Sequence, residues 1–333
     1  MATTTLDAHS STNRRAEGGR RRIVGAALAG VGALMFVFSL MVHFYVAPAL
    51  AIAPIDQDSV TRLEAKGATV FDTATLAPIT TDLAIAAHTV GDVKATNEAG
   101  GDARVWANST TITSSDGVIR SQSTKHAAFD GKTARGLNLT CADCGNFYAT
   151  EKDAKVATKL TGLLFKFPFG TEKTTYQVWD DTAAKSVPTR YTGTTTVEGL
   201  KVYTFENTVP ATVVGDREVP ASVFGLPGTD NVTADSFYQN HTLYYVEPVT
   251  GAIVNQISDT KNWFGYQDHQ LVTTEAHITY TPQQIKDMVH VTLGNQPMLL
   301  GLAQGWVPWA ILLLGIAMIA FGYAVTRGRS HTA

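Results

Sequence analysis

Cys141-Ala142-Asp143-Cys144 contains both cysteines of this 333-residue chain. Two thiols at this spacing can close a local disulfide clip, and the same spacing suits a redox pair or half of a metal site. Redox work needs an acidified thiol, usually at a helix N-terminus, and Gly145-Asn146 follows without a strong helical start. A zinc site needs two more ligands; His126 is the nearest upstream histidine, and nothing in the sequence fixes it in register. Cys141 and Cys144 are read first as a structural disulfide, with free thiols and a redox or metal pair as alternatives.

Glu275-Ala276-His277 places a carboxylate and an imidazole on one face of a strand, with Asp268-His269 nearby, the residue types of general acid and base chemistry. On a half-exposed strand such pairs are ordinarily solvated. Asp56-Gln57-Asp58 superficially matches the metal-binding pair of glycosyltransferases but has no nucleotide-binding βαβ context. The chain has no G-x-S-x-G, H-E-x-x-H, G-x-x-x-x-G-K or G-x-G-x-x-G. The expectation is a non-enzyme with no catalytic, cofactor or metal residue; an enzyme acting on glycolipids through Glu275, His277 or Asp268 ranks last. Four glycosylation sequons, at Asn108, Asn138, Asn231 and Asn240, matter only in a host with the machinery.

The most unusual stretch runs from Leu163 to Lys173 and on to Tyr176 and Trp179-Asp180-Asp181. In an extended chain Phe165, Phe167 and Phe169 project to the same side, a face for an apolar cavity or a lipid. Ordinary sheet packing, with Lys166 on the opposite face, is the simpler account and carries more weight for the individual residues.

The elements that must position these residues are mostly strands. Thr, Val, Tyr and Phe recur with an apolar period of two. Arg104–Ile112 and Val118–Arg120 flank the turn Ser115-Asp116-Gly117; Thr194–Val197 and Leu200–Phe205 flank Glu198-Gly199; Leu243–Val246 and Ala252–Val254 flank Glu247–Gly251. Each is a hairpin signature, and Leu271–Tyr280 is a last strand. Thr281-Pro282 reads as an N-cap and first-turn proline opening a helix over Gln283–Leu293. Thr150–Leu160 is read as a helix whose lysines face solvent. Asp130–Gly145, rich in Gly and small polar residues, is read as a divider between two β subdomains.

Hydrophobic residues make up 44% of the chain and charged residues 17%, and the net charge is −3, which excludes a disordered chain or a disulfide-rich miniprotein and argues against nucleic acid as a partner. Charge is unevenly placed: none of Asp, Glu, Lys or Arg occurs from Ile23 to Ile55 or from Met288 to Thr326. Residues 23–45 and 306–325 are each long enough to span a bilayer as a helix. A cleaved signal peptide, suggested by Ala49-Leu50-Ala51, is the alternative for the first, but its apolar run exceeds a typical h-region. Arg14, Arg15, Arg20, Arg21 and Arg22 precede the first span, and Arg327 and Arg329 follow the second, which predicts a plasma-membrane protein with both termini cytoplasmic. Residues 1–22 are read as a disordered basic tail, 54–297 as an extracytoplasmic β-rich domain and 326–333 as a cytoplasmic tail. Subtracting the seven tail arginines, and Asp7 and Glu17, leaves 19 cations and 27 anions outside, about −8. The fold class expected is mainly β, an antiparallel sheet or barrel-like domain flanked by transmembrane α-helices.

Pro54-Ile55-Asp56, Pro168 with Thr171-Glu172-Lys173, Tyr176, Trp179-Asp180, and Tyr245 to Gly251 with Pro248, set in this two-span layout, resemble the actinobacterial envelope proteins labelled PorA-family porins, largely of unknown function. The likeness covers Ile23 to Arg329. It implies a membrane-anchored envelope protein, with lipoglycan maturation as a role linked to the family. The layout is also similar to class B scavenger receptors, which hold a lipid-binding β-rich domain between two anchors, a likeness of topology alone. It differs from a closed transmembrane barrel. The leading expectation is a protein that binds or passes a membrane lipid or lipoglycan through an apolar groove. A scaffold for an envelope glycosyltransferase or transporter comes second and a pore third.

Overall fold

In the computed structural model, which describes residues 7–150, 156–157, 159–227 and 230–327, α1 (Asp7–Met41) runs through a π-helical turn, Val42–Val46, into α2 (Ala47–Leu50). The expected disordered tail is thus helical from Asp7. Extending a helix costs far less than nucleating one, and Arg14, Arg15, Ala16 and Glu17 are good helix formers. Residues 1–6 of that tail, and Arg329 in the other, lie outside the described residues.

The sheet strands follow: β1 (Asp58–Asp72), β2 (Ala77–Gly91), then α3 (Val93–Ala99), β3 (Ala103–Ser114), β4 (Ile119–Asp130), β5 (Gly136–Leu137), β6 (Phe147–Thr150), β7 (Val156–Ala157), β8 (Tyr176–Asp180), β9 (Lys185–Val197), β10 (Leu200–Pro220), β11 (Asn231–Val246), β12 (Ile253–Tyr266) and β13 (His269–Tyr280). They form one 13-stranded sheet in the order β7-β6-β4-β3-β2-β1-β13-β12-β11-β10-β9-β8, with β5 paired to β4. All strand pairs are antiparallel, and the sheet curves into a half-barrel. The three hairpins read from turn chemistry are present. At Glu198-Gly199 both residues have positive φ, 47° and 80°, as a two-residue hairpin turn requires.

Two expectations are corrected. Asp130–Gly145 does not divide subdomains, because β1 pairs with β13 and joins early and late strands in one sheet. Within Thr150–Leu160, where a helix was expected, Val156–Ala157 is a strand paired with Phe147–Tyr148; residues 151–155 and 158 lie outside the described residues.

After β13 come α4 (Pro282–Asp287), a π-helical turn Met288–Leu293, α5 (Gln296–Gln304) and α6 (Val307–Arg327). Thr281 caps α4 by accepting the Gln284 amide, with Pro282 in the first turn, as the sequence predicted.

Two units result, one of Met1–Ala51 with Met298–Ala333 and one of Ile52–Pro297. In the first, α1 and α6 pack antiparallel through small residues. A Cβ on Gly32 would stand 2.6 Å from the Gly315 carbonyl oxygen, and one on Gly25 2.7 Å from that of Gly322. One helical stretch further along, the Ser39 hydroxyl donates to the Pro308 carbonyl. In the second unit the buried apolar residues form seven separate clusters among the described residues. A domain of this size more often has one contiguous core. Two clusters lie on the outer face: α3 and the Cys141–Cys144 loop cover Val105 and Ala128, while Val289 and Leu293 cover Val202 and Val254.

Candidate functional site

Alternation decides which side chains face inward. On β2 the odd positions from Ile79 to Thr89 are buried or half-buried and the even ones exposed. Strand register carries that inner face around the sheet. Ile85 stands opposite Ile112 on β3 and Leu63 on β1; one step along, Ala65 stands opposite Ile278 on β13. Ile278 faces Ser258 on β12, Ser258 faces Thr242 on β11, and Thr242 faces Asn207 on β10. Within this row the chemistry changes abruptly between Ile278 and Ser258.

On the β13-β1-β2-β3 side the wall is aliphatic. Ala65, Ala68, Val70, Leu83 and Ala276 are buried, and Ile79, Ile112 and Ile278 pack against them half-buried. From β8 to β12 the wall carries hydroxyls, amides and phenols among the buried apolar side chains Val187, Phe205, Val209 and Val246. Asn207 Nδ2 donates to Thr189 Oγ1 (3.0 Å), Asn240 Nδ2 to Thr242 Oγ1 (2.9 Å) and Gln256 Nε2 to Ser258 Oγ (3.2 Å); the Thr242 and Ser258 hydroxyls are 2.9 Å apart. The Tyr238 hydroxyl donates to Asp180 Oδ2 at 2.9 Å. Burial pushes the Tyr244 phenol up to about 12, with the Asp180 carboxylate adding to it. Burial and then Asp180 raise Tyr238, and burial and then Tyr244 raise Tyr280. At neutral pH the wall therefore offers intact O–H groups. Among the described residues the Asn240 Oδ1 acceptor is buried without a partner.

The residues singled out from sequence fall in several places. Phe165, Phe167 and Phe169 do not share a side, because their segment is not extended: Phe165 has φ +62°. Phe165 packs with Trp106 and Phe129, Phe167 is buried against Tyr176, Phe205 and Tyr244, and Phe169 lies under the Lys166 ammonium at 3.3 Å. The residues carrying the resemblance largely converge. Thr171 N donates to the Pro248 carbonyl and Thr171 Oγ1 to that of Pro168; Phe167 N donates to the Gly251 carbonyl. Gly251 has φ +73°, and a Cβ there would stand 2.1 Å from the Phe167 oxygen. Glu172 N donates to the Tyr176 hydroxyl, Lys173 lies over Tyr191 and Tyr203, and Trp179 Nε1 donates to Asp181. Pro54 is apart, its carbonyl accepting from Trp106 Nε1, and Asp56 is exposed.

Cys141 and Cys144 are disulfide-bonded, with Cys144 buried under the outer face. His126 is taken by the Gly145 carbonyl (2.8 Å) and stacks on Phe147. Glu275, His277 and Asp268 do not converge: Glu275 pairs with Lys261, His277 Nδ1 with Asp259 (2.6 Å), and Asp268 sits in the β12–β13 turn. Asp58 pairs with His88. Sequence reading missed an outer row in which Glu206, His241, Asp259 and His277 alternate in charge type across β10 to β13. Among the described residues no three such side chains are placed to hold a metal ion. It also missed the polar wall. Gln239–Tyr244 and Gln256–Asn262 carry polar residues on both faces, which erases the period-two signal.

A half-barrel of antiparallel strands in a chain with two helices long and apolar enough to cross a bilayer defines a membrane-associated β protein. The family model described as Porin PorA matches residues 24–324, and the chain belongs to that family. Among curated relatives, a Porin PorA of Corynebacterium amycolatum is 27% identical over 134 residues, 33% of this chain and 35% of the relative. A Porin PorA of Corynebacterium resistens is 27% identical over 145 residues, 29% of this chain and 35% of the relative. The chain spans about a third of the length of these relatives, 35% in each case.

Proposed function

We propose that this protein binds an envelope amphiphile, a lipid or lipoglycan, along the inner face of its half-barrel, as a holder or carrier rather than an enzyme. The acyl part lies against the aliphatic wall of β13, β1, β2 and β3, and the hydroxylated head meets the polar wall of β8 to β12. The observation that supports this most directly is the change from Ile278 to Ser258 within one register row. It gives the apolar groove expected from sequence a second side that carries polar groups. A buried acceptor such as Asn240 Oδ1 is costly unless something supplies a donor. The flanking arginines support a domain outside the cytoplasm and both termini within it.

Mass spectrometry of lipid extracted from the full chain, purified in mild detergent, tests the reading. An acyl-bearing lipid should co-purify, and Ile112→Gln with Ile278→Gln should reduce its recovery several-fold while the far-ultraviolet spectrum is unchanged. A folded wild-type chain that neither carries lipid nor takes up a fluorescent phospholipid overturns it. A pore is the second reading, favoured by the hydroxyl-lined wall and by the family's description. It requires steady single-channel conductance from pure protein in a planar bilayer, and silence across lipid compositions ends it.

A further inference from the structure

The curved sheet returns to its starting edge through one short segment. Leu163 bridges Arg135 on one side and Val178 of β8 on the other. On the β5 side two backbone bonds and one asparagine side chain hold the segment. Gly136 N donates to the Gly162 carbonyl and Leu164 N to that of Ala134, both at 2.8 Å, and Asn138 both donates to the Leu160 carbonyl and accepts its amide. Leu160 and Leu164 are buried with Ala127 and Phe129 of β4.

On the β8 side two backbone bonds join the edges, from Leu163 N to the Gln177 carbonyl and from Trp179 N to the Leu163 carbonyl. Side chains add the Thr161–Ser186 hydroxyl pair at 2.7 Å and the Lys125–Asp181 ion pair at 2.8 Å; Leu163 packs with Phe167 and Phe205, and Trp179 of β8 packs half-buried against the cluster that holds Leu160 and Leu164. By contrast β1 and β2 are paired from Asp58–Val90 to Asp72–Ala77. Just beyond the segment, Phe167, Gly170 and Thr171 bond to the Pro248–Gly251 turn. Phe165 thus stands between a stretch fastened to β4 and β5 and one fastened to the β11–β12 turn, with a positive φ of 62° that a bulky side chain rarely adopts.

We propose that the junction between Thr161–Leu164 and β8 is a lateral gate. It parts with Thr161–Leu164 remaining on β5 and the chain turning at Phe165, and it admits an amphiphile sideways into the inner face, which rests on the amphiphile reading above. The position suits such a ligand. The junction lies where the Leu163 segment bridges the β3–β4 side of the half-barrel to its β8–β9 side, so a molecule entering there has the aliphatic wall on one hand and the polar wall on the other.

Thr161→Cys with Ser186→Cys, whose hydroxyls already touch, supplies a lock in the full chain. Oxidised, the double variant should take up nitrobenzoxadiazole-labelled phosphatidylglycerol from vesicles at least tenfold more slowly than after reduction; wild type carried through the same steps controls for Cys141–Cys144. Equal uptake by the locked and reduced forms overturns the gate. Hydrogen exchange tests it without a ligand. The Leu163 and Trp179 amides should exchange at least tenfold faster than those pairing β1 with β13, faster still in Lys125→Ala, and slowly in the locked form. Exchange as slow as in the β1–β13 pair also overturns it. Fast exchange in a wild-type chain that takes up no lipid leaves the opening standing and rejects the amphiphile.

Discussion

Lys166 is where the cost of placing a charge in the domain is most visible. Burial lowers its amine to about 7 from an ordinary 10.5, and the Glu247 carboxylate opposes that shift. Glu247 is 2% exposed and accepts from Val249 N, Thr250 N and Thr250 Oγ1, so the turn that holds it is built around its charge. Below pH 7 the amine is protonated in folded and unfolded chains alike, and the burial cost is fully present. Between 7 and 10.5 the unfolded state binds more protons, so stability rises with pH. Lys166→Met should therefore stabilise the protein by about 1–2 kcal/mol at pH 6, a figure reduced for the solvent its stem still meets, with the gain fading toward pH 10.5. Urea unfolding at the two pH values reads this. None of it was visible in the sequence, where Lys166 was the solvated partner of three phenylalanines. Its surroundings come from the Pro248–Gly251 turn, some eighty positions away, and no local period encodes that contact.

Among the elements, the two apolar helices show how a signal can be present and still be averaged away. Gly25, Gly32 and Ser39 recur at seven-residue spacing, and so do Pro308, Gly315 and Gly322. In the antiparallel pair they meet in register, which lets the backbones approach closely, as small residues do where helices pack within lipid. Hydropathy identifies such helices as apolar but treats a glycine as merely weak. Gly32→Leu has no space, since even a Cβ would stand 2.6 Å from the Gly315 oxygen. It should lower the stability of the helix pair by about 1–3 kcal/mol, read by titrating the detergent-solubilised chain with sodium dodecyl sulfate, while Gly30→Leu, which meets nothing within 4 Å, should be close to neutral. The hairpins were the most legible elements because turn chemistry is local: Glu198-Gly199 and Glu247–Gly251 declare themselves within a few residues. The inner face was not legible. Whether Thr242 lies opposite Ser258 or one residue away depends on register between strands, and residues polar on both faces leave that register unmarked.

For the whole molecule, the chain order of the sheet matters as much as its curvature. The strands at its two edges, β7 and β8, are consecutive in sequence, while the first and last strands, β1 and β13, are paired in its middle. A break between the edge strands therefore leaves two contiguous half-sheets. Residues 1–172 and 173–333, co-expressed as separate chains, should associate and co-purify through the β1–β13 pairing, and each alone should aggregate for want of its partner edge. The arrangement resembles a bound book. β1 and β13 form the spine, and the Leu163 junction is the fore-edge where the covers meet. Leu63 stands opposite Tyr280 at the end where the chain enters and leaves the domain. Tension applied to those two ends would load the spine as a zip, one rung at a time from Leu63–Tyr280, rather than in shear across all its bonds together. A pull exerted through its own chain therefore meets the β1–β13 bonds in turn and not together.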